Sequence, residues 1–458
     1  MTLQNDSANN GLTPQKPEPS SPPSQTHYVS WFRSTSPYIN AHRSRTFVVA
    51  LGGEAVLHPN FNNIIHDLAL LNSLGIRLVV VHGARPQINE SLAQLQIEPV
   101  FVQGRRVTDA QSLNCVLNAA GKVRIQIEAL LSMGVANSPM HGASIEVCSG
   151  NFVIARPYGV RDGMDFQHTG EVRRINTDAM QRRLKENAIV LVSHVGYSPT
   201  GEVFNLSWEE VAEKVATELN AEKLIFFAEP NGIEESGRLV REMTVAQAKL
   251  HLTNDFPDDA DQKSRIESAI RAAEKGVKRC HFISYQTDGA LLQELFTRDG
   301  NGTLLTQENF ERLRNATVED VGGILELIEP LEQEGILVRR SRELLEQEIA
   351  HFTVVERDGM IIGCAALYPY TEDQMGELAC VAIHRQYQNG KRGDALLDQI
   401  ERRAKTLGIN ALFVLTTRTA HWFRERGFEV AELNKLPLQK QQFYNLQRKS
   451  NVFVKRLE

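Results

Sequence analysis

The chain has 458 residues, a length that predicts two or three domains. With 42% hydrophobic and 23% charged residues and a formal net charge of -6, its composition is that of a globular protein. No basic block indicates a nucleic-acid partner, and no apolar run reaches membrane-spanning length. Five cysteines without CxxC spacing argue against a disulfide framework or a zinc site and are typical of a reducing cytosol, so we expect a cytoplasmic protein without a metal.

The N-terminal residues differ in composition from the rest of the chain. Residues 1–26 are rich in Pro, Ser, Gln and Asn, and they lack both the apolar segment of a secretion signal and the arginines of a transit peptide. Such a composition predicts a disordered tail. Aromatic residues follow from Tyr28, and residues 31–42 predict a helix or a kinked pair of turns.

Strands and helices alternate through the next part of the chain. Apolar runs at residues 46–51, 77–82, 188–193 and 223–227 predict buried strands separated by helices. This alternation predicts an α/β domain with a mainly parallel sheet. Because a glycine-rich turn follows residue 299 and a new helix has its candidate N-cap at Thr317, we place one domain at residues 27–308 and a second at 312–458.

Several blocks of the first domain resemble the amino acid kinase family, and the acetylglutamate kinases in particular. The matching blocks are Leu51-Gly-Gly53, His82-Gly83, Pro86-Gln-Ile-Asn89, Gly104-Arg-Arg-Val-Thr-Asp109, Ala221-Glu-Lys-Leu-Ile225, Ala290-Leu-Leu-Gln-Glu-Leu-Phe296 and Gly300-Asn-Gly-Thr303. The resemblance implies a three-layer α/β fold. The chain departs from the family at Ala50, where a lysine is usual, and at Ala84 and Arg85, which replace two of three glycines. Because phosphoryl transfer depends on positioned cations, we expect a kinase-inactive domain.

The same resemblance implies a regulatory arginine site. Arginine-sensitive acetylglutamate kinases bind arginine beside an N-terminal helix and the last part of the domain, which correspond here to Tyr38, Glu294, Gly300 and Gly302. A carboxylate such as Glu294 suits a guanidinium, and the glycines leave backbone carbonyls accessible. The alternative is that Glu294 is a solvated helix residue. In those kinases the N-terminal helix links dimers into a hexamer, so the resemblance implies a homo-oligomer with L-arginine as an effector.

The second domain contains a candidate anion site. The segment Gln388-Asn-Gly-Lys-Arg-Gly393 lies between an apolar strand at residues 377–383 and an amphipathic helix that begins near Asp394. At such a junction, backbone N–H groups and the positive end of the helix point outward and favour an anion. The loop lacks the Lys-[Ser/Thr] pair of a Walker loop. An ordinary strand-to-helix turn with solvated charges is the alternative.

This loop resembles the pyrophosphate loop of the GCN5-related acetyltransferases, whose pattern is Gln/Arg-x-x-Gly-x-Gly/Ala. Gln388 and Gly393 match the pattern, whereas Lys391 occupies the first glycine position. The element order and the Gly427-Phe428 pair also match, so the resemblance implies an α+β acetyltransferase domain with acetyl-CoA as cosubstrate. It implies that the acetyl-pantetheine portion contacts Cys380, Val381 and Ala382, and that the pyrophosphate contacts Gln388, Asn389, Lys391, Arg392 and Gly393.

Glu377 is the candidate catalytic residue, because it opens the strand before the loop and is the strand's single carboxylate. An amine must lose a proton before it attacks a thioester, and a carboxylate can accept that proton directly or through a water. The alternative is a strand-end charge that faces water. Many family members have a tyrosine acid at the position of Phe423, so we expect the leaving thiolate to be protonated by water or by the attacking ammonium.

The pairing of the two domains resembles the acetyltransferases that act on glutamate at the start of arginine synthesis. Glutamate carries two carboxylates, so its pocket needs fixed cations. The matching blocks point to Arg340, Arg448 and the hydroxyl of Ser450 as substrate contacts, with Arg339 as the alternative to Arg340. The resemblance implies acetyl transfer from acetyl-CoA to the α-amine of L-glutamate.

Three other functions are weighed against this one. Ala50 and Arg85 argue against a bifunctional synthase and kinase. The strand, loop and helix with Glu377 argue against a non-catalytic arginine-binding regulator. The two arginine-containing blocks favour a small dicarboxylate over a protein lysine as the acetyl acceptor.

Overall fold

The structure is a computed structural model. It describes residues 25–134, 138–235, 237–254, 260–297, 299–307, 311–357, 359–388, 391–442 and 450–457. The chain divides into two compact units, residues 1–307 and 308–458. Among the described residues, no helix has both the length and the apolar character needed to cross a membrane.

The first unit contains ten helices and eighteen strands in its described part. The helices are α1 (Gln25–His42), α2 (Gly53–Leu57), α3 (Phe61–Ser73), α4 (Arg85–Gln94), α5 (Ala110–Leu131), α6 (Thr177–Lys185), α7 (Trp208–Glu218), α8 (Val245–Asn254), α9 (Ala260–Glu274) and α10 (Ala290–Phe296). The strands are β1 (Thr46–Leu51), β2 (Arg77–His82), β3 (Phe101–Val102), β4 (Arg105–Arg106), β5 (Val147–Ser149), β6 (Val153–Pro157), β7 (Val160–Arg161), β8 (Met164–Asp165), β9 (Gly170–Ile175), β10 (Ile189–Ser193), β11 (Val195–Tyr197), β12 (Val203–Asn205), β13 (Lys223–Ala228), β14 (Ile233–Glu235), β15 (Arg238–Val240), β16 (Glu242–Thr244), β17 (Arg279–Ser284) and β18 (Thr303–Thr306).

An eight-stranded sheet forms the centre of the first unit, in the order β16-β18-β17-β13-β1-β2-β10-β5. Its pairs are parallel except for β17 with β18, so the predicted mainly parallel sheet is confirmed. Side chains of β1 alternate between two cores: Val48 and Ala50 join the core that includes α7 and α9, and Val49 joins the core that includes α3 and α5. Burial on both faces explains why these strands are apolar throughout, and it places helices on either side of the sheet.

The N-terminal helix begins earlier than the sequence predicts. Helix α1 is continuous from Gln25 to His42 and includes Pro37, so its first two residues fall inside the predicted tail of residues 1–26. Residues 1–24 lie outside the described part of the chain. The helix docks on α10 through the His42 ring, whose Nε2 lies 2.9 Å from the backbone oxygen of Leu295. This contact fixes the end of α1 close to the predicted arginine-binding segment.

Replacing Gly302 with alanine is expected to destabilise the first unit by about 1–3 kcal/mol, the usual cost of overpacking. A Cβ atom added at Gly302 would lie 1.9 Å from the carbonyl oxygen of Phe282 on β17. Chemical denaturation followed by circular dichroism measures the change. Gly121→Ala is the control, because a Cβ in that part of α5 meets no atom within 4 Å, and it should be neutral or slightly stabilising. Equal stability of the two variants would contradict the close contact.

The second unit is an α+β domain with a seven-stranded sheet in the order β19-β20-β21-β22-β23-β25-β24. Its strands are β19 (Glu311–Asn315), β20 (Phe352–Arg357), β21 (Met360–Tyr370), β22 (Met375–Ile383), β23 (Ala411–Thr416), β24 (Glu429–Ala431) and β25 (Asn451–Arg456). Its helices are α11 (Val321–Gln333), α12 (Arg342–Glu348), α13 (Arg392–Thr406), α14 (Ala420–Arg424) and α15 (Leu438–Gln442). The predicted meander is formed by β20, β21 and β22, which pair antiparallel in succession.

Strands β22 and β23 part along their length. They pair in parallel at three positions, and the last of these joins Glu377 to Phe413. On its other edge β22 stays paired with β21 as far as Ile383, with a register shift near Cys380. Cys380 itself has φ of 52°, an uncommon left-handed conformation for a residue with a side chain. A bulge of this kind re-aims the strand next to a site.

Candidate active site

The gap between β22 and β23 opens into a cavity with a volume of about 860 Å³. Small-molecule sites commonly have volumes of about 300–1,000 Å³. The predicted site residues that line this cavity are Arg340, Glu377, Cys380, Val381, Ala382, Gln388, Lys391, Gly393 and Ser450. Residues that lie far apart in the sequence are therefore brought together around one space.

The loop before α13 has the geometry of a helix start that faces the cavity. Lys391 is the N-cap residue and has φ of 57°, which explains why the family pattern has glycine there. Gly393 lies against Trp422, because an added Cβ would be 2.9 Å from Cζ2 of that ring. Arg426 stacks over Trp422 at 4.1 Å and pairs with Asp394 at 2.5 Å. These contacts hold the first turn of α13 in place, so its backbone N–H groups form a fixed positive end.

The side chain of Arg392, one of the predicted pyrophosphate contacts, is engaged outside the cavity. Its Nε lies 2.8 Å from Oε2 of Glu311, and its Nη1 donates to the backbone oxygen of Tyr387 at 3.0 Å. Burial raises the pKa of Glu311, but hydrogen bonds from Arg392 and Arg357 outweigh burial and hold that pKa below its ordinary value. The guanidinium therefore ties the loop to β19 instead of facing the cavity. Asn389 lies outside the described residues.

Glu377 lies at the point where β22 and β23 separate. Its side chain is 10% exposed, and its Oε2 accepts a hydrogen bond from Nζ of Lys440 at 2.6 Å. This burial does not match the alternative of a strand-end charge that faces water. Lys440, on α15, lines the same cavity and was missed by the sequence reasoning, because no local pattern links it to β22.

Two hydroxyl groups on the opposite wall were also missed. Oγ1 of Thr416 and Oγ1 of Thr419 lie 2.8 Å apart, and both residues line the cavity. Thr416 is the last residue of β23, so a polar residue at the end of an apolar run was the available signal. Phe423, which has no exchangeable proton, lines the cavity as well.

The structure distinguishes between the two candidate substrate arginines. Arg340 lines the cavity, and its backbone N–H donates to Oε1 of Glu332 at 2.9 Å. Arg339 is exposed and is not among the cavity residues. Close by, the hydroxyl of Tyr368 donates to Glu348 at 2.5 Å. Arg448 falls in residues 443–449, outside the described part of the chain.

The predicted arginine-binding residues converge in the first unit. Glu294 is 9% exposed, and its carboxylate accepts hydrogen bonds from the backbone N–H of Asn301 at 2.6 Å and of Gly302 at 2.9 Å. Burial raises the pKa of Glu294, but its 2.6 Å hydrogen bond to His281 and the backbone donors lower it to about 2. The alternative of a solvated helix residue does not match this burial. The guanidinium of a bound arginine would have to pair with a carboxylate that already has these hydrogen bonds.

Gly300 and Tyr38 are the other two predicted residues of that site that the structure places. A Cβ at Gly300 would lie 2.5 Å from Oε2 of Glu294, so the glycine loop is wrapped closely around it. Tyr38 of α1 packs against the core that contains α10. The four predicted residues thus lie on α1, on α10 and in the loop that follows it.

Comparison with known proteins identifies both units. Residues 45–284 match the amino acid kinase family, and residues 348–430 match the acetyltransferase (GNAT) domain. The amino-acid acetyltransferase of Azotobacter vinelandii is 57% identical over 431 residues, which are 94% of this chain and 99% of that protein. The chain belongs to the amino-acid acetyltransferase family. The predictions of an amino acid kinase-like domain, of a GCN5-related acetyltransferase domain and of an enzyme that acetylates an amino acid are confirmed.

Solved structures of similar proteins agree with this assignment. The N-acetylglutamate synthase from Neisseria gonorrhoeae, complexed with coenzyme A and L-arginine, is 38% identical with a TM-score of 0.86. The alignment covers 94% of this chain and 99% of the Neisseria chain. A second structure of that synthase, with coenzyme A and N-acetyl-glutamate, has the same identity and coverage and a TM-score of 0.61.

Proposed function

We propose that this chain transfers the acetyl group of acetyl-CoA to the α-amine of L-glutamate, giving N-acetyl-L-glutamate and coenzyme A. One observation carries the proposal: the open edge of β22, the start of α13, Glu377 and Arg340 all border a single cavity. The Neisseria synthase supports it, because that protein was solved with coenzyme A and with N-acetyl-glutamate.

Acetyl-CoA binds through backbone groups at two places. The diphosphate lies at the start of α13, where Gln388, Lys391 and Gly393 line the cavity. The pantetheine arm follows Cys380, Val381 and Ala382 as an added strand would, because in the described part of the chain β22 pairs with β23 only as far as Glu377. A backbone N–H of this segment then stabilises the oxyanion of the tetrahedral intermediate.

The reaction needs one proton acceptor and one proton donor. Glu377 accepts a proton from the ammonium group of glutamate, directly or through a water, and the hydrogen bond from Lys440 holds the carboxylate in position. The amine then forms a C–N bond with the acetyl carbon, and the C–S bond breaks. The departing thiolate takes the proton that the attacking nitrogen releases as the amide forms, directly or through a water.

The two carboxylates of glutamate select the acceptor. Arg340 offers a planar set of donors within the cavity, and Ser450 adds a hydroxyl. Arg448 completes the set in this proposal by its place in the sequence. A dicarboxylate satisfies these donors better than a neutral amide or a protein lysine does.

L-Arginine acts as an effector of this enzyme and binds at Tyr38, Glu294, Gly300 and Gly302. The convergence of these residues supports the site, and the arginine bound to the Neisseria synthase supports the choice of ligand. The chain forms a homo-oligomer, a hexamer by resemblance to arginine-sensitive kinases, and works in the cytoplasm. A further kinase activity is not proposed, since Ala50 is fully buried and supplies no cation.

Thiol release from acetyl-CoA tests the function. The full chain is assayed with glutamate, aspartate, glutamine and ornithine, each with and without arginine. Glutamate is expected to give the highest kcat/KM, and arginine is expected to change its rate. A similar rate with glutamine would contradict the role of the second carboxylate, whereas a rate that ignores arginine would contradict the effector site alone.

A further inference from the structure

Tyr368 lies on β21, beside the cavity between β22 and β23 but not among the residues that line it. It pairs across the antiparallel ladder with Glu377 of β22. Side chains of directly opposite residues project from the same face of a sheet, with Cβ atoms about 4.5–5.5 Å apart. Backbone pairing therefore fixes the position of Tyr368 relative to the candidate base.

The hydroxyl of Tyr368 joins two charged side chains. It donates to Oε2 of Glu348 at 2.5 Å, and it also has a side-chain hydrogen bond with Arg340. Burial raises the pKa of the hydroxyl, the hydrogen bond to Glu348 raises it further, and together they outweigh the lowering effect of Arg340. The hydroxyl therefore keeps its proton near pH 7. That proton is directed to Glu348, so the oxygen can accept from the guanidinium.

The ring of Tyr368 is held in place as well. It packs against the ring of His351, with the two centroids 5.0 Å apart, and against the apolar core that includes residues of α11. His351 ends the short helical turn that follows α12, and Glu348 is the last residue of α12. The end of α12 and the turn after it therefore fix both the ring and the hydroxyl of Tyr368.

Arg340 itself lies between α11 and α12, in a segment that is neither helix nor strand. Its Nη1 donates to the backbone oxygen of Val338 at 3.2 Å, a contact with a residue of the same segment. A long side chain loses rotamer freedom when a ligand fixes it, and a contact that fixes it beforehand reduces this cost of binding. Tyr368 supplies such a contact from a strand that is paired on both edges.

Two groups of the proposed reaction are thus referred to one residue. Glu377 is opposite Tyr368 in the ladder, and Arg340 contacts its hydroxyl. An amino acid whose α-amine faces Glu377 can place its side-chain carboxylate at Arg340 only if its chain spans that spacing. Aspartate is one methylene shorter than glutamate, so it cannot satisfy both groups equally well.

We propose that Tyr368 and Glu348 are positioning residues that hold Arg340 at a fixed spacing from Glu377, and that this spacing selects glutamate over aspartate. The inference rests on the proposed acetyl transfer to glutamate and assigns the side-chain carboxylate of the substrate to Arg340. Neither Tyr368 nor Glu348 touches the substrate. Both act through the guanidinium.

Tyr368→Phe removes the hydroxyl and keeps the ring. We expect it to raise KM for glutamate by about 3- to 10-fold, the value of one hydrogen bond, with kcat changed by less than about twofold. KM for acetyl-CoA and kcat/KM for aspartate should also stay within about twofold, so the preference for glutamate over aspartate falls. Tyr370→Phe is the matched control, because Tyr370 lies two residues further along β21 and packs its ring on Phe413, and it should behave as wild type.

Two further comparisons separate positioning from a general structural role. In the Arg340→Met background, Tyr368→Phe should change KM for glutamate by less than about twofold, because a residue that acts through Arg340 has no effect once Arg340 is gone. Glu348→Leu should reproduce the effect of Tyr368→Phe. Glu348→Gln, which keeps an acceptor oxygen for the hydroxyl, should retain most of the preference for glutamate.

The outcomes distinguish this inference from the proposed function. If wild type released no thiol with glutamate, both would be wrong. If wild type preferred glutamate and Tyr368→Phe kept that preference, only the positioning role would be overturned. A loss in Tyr368→Phe that is equal for glutamate, aspartate and acetyl-CoA, or that persists in full in the Arg340→Met background, would assign Tyr368 to the stability of the sheet and overturn it as well.

Discussion

Replacing Glu377 with glutamine is expected to lower kcat/KM for L-glutamate by about 10²- to 10⁴-fold, the usual contribution of a positioned general base. Glutamine keeps the size of the side chain and an acceptor oxygen for Lys440, which lies 2.6 Å away in the native chain. It cannot take a proton from the substrate ammonium. Initial rates of thiol release measure the loss, and calorimetry should show that acetyl-CoA still binds within about twofold.

Glu372→Gln is the matched control for this substitution. Glu372 lies in the exposed turn between β21 and β22, outside the residues that line the cavity, so its removal should leave the rate nearly unchanged. If Glu377→Gln kept most of the wild-type rate, the burial of Glu377 would have to serve stability instead of proton transfer. A parallel loss of acetyl-CoA affinity would point to a collapsed cavity.

Replacing Arg340 with methionine is expected to raise KM for L-glutamate by about 10- to 100-fold, since hydrogen bonds to a charged group contribute about 1.5–3 kcal/mol. Methionine preserves much of the aliphatic stem while removing the donors that face a substrate carboxylate. KM for acetyl-CoA should change little, because the proposed coenzyme contacts lie on β22 and at the start of α13. Steady-state kinetics with each substrate varied in turn measures both constants.

The neighbouring arginine provides the control for this experiment. Arg339 is exposed and does not line the cavity, so Arg339→Met should behave as wild type. Arg448→Ala is expected to show the same selective rise in KM for glutamate as Arg340→Met. An equal loss for glutamate and acetyl-CoA in Arg340→Met would argue that the arginine supports the cavity wall and does not contact the substrate.

The elements that position the site follow from local patterns in the sequence. The apolar run of β1 and the spacing of Leu396, Leu397 and Ile400 on α13 predict a buried strand and an amphipathic helix, and the structure buries them. Such patterns report which face of an element is buried. They do not report which element covers that face.

The contacts within the site depend on long-range pairing that no local pattern contains. Lys440 meets Glu377 across 63 residues of sequence, and Arg392 meets Glu311 across 81. The sequence offers several lysines and arginines near each motif, so the partner of each carboxylate is decided by the sheet order. The same reason explains the bulge at Cys380, because its apolar strand appears continuous in the sequence.

Acetyl-CoA bound between β22 and β23, as proposed, would also hold the two parts of the sheet together. Three residue pairs join β22 to β23, so few backbone hydrogen bonds connect the part of the sheet that ends with β22 to the part that begins with β23. A coenzyme that inserts as an extra strand would contact both β22 and β23. By mass action, a ligand present at 100 times its dissociation constant adds about 2.7 kcal/mol to the free energy of unfolding. The protein should therefore resist proteolysis and heat better during purification when coenzyme A is present.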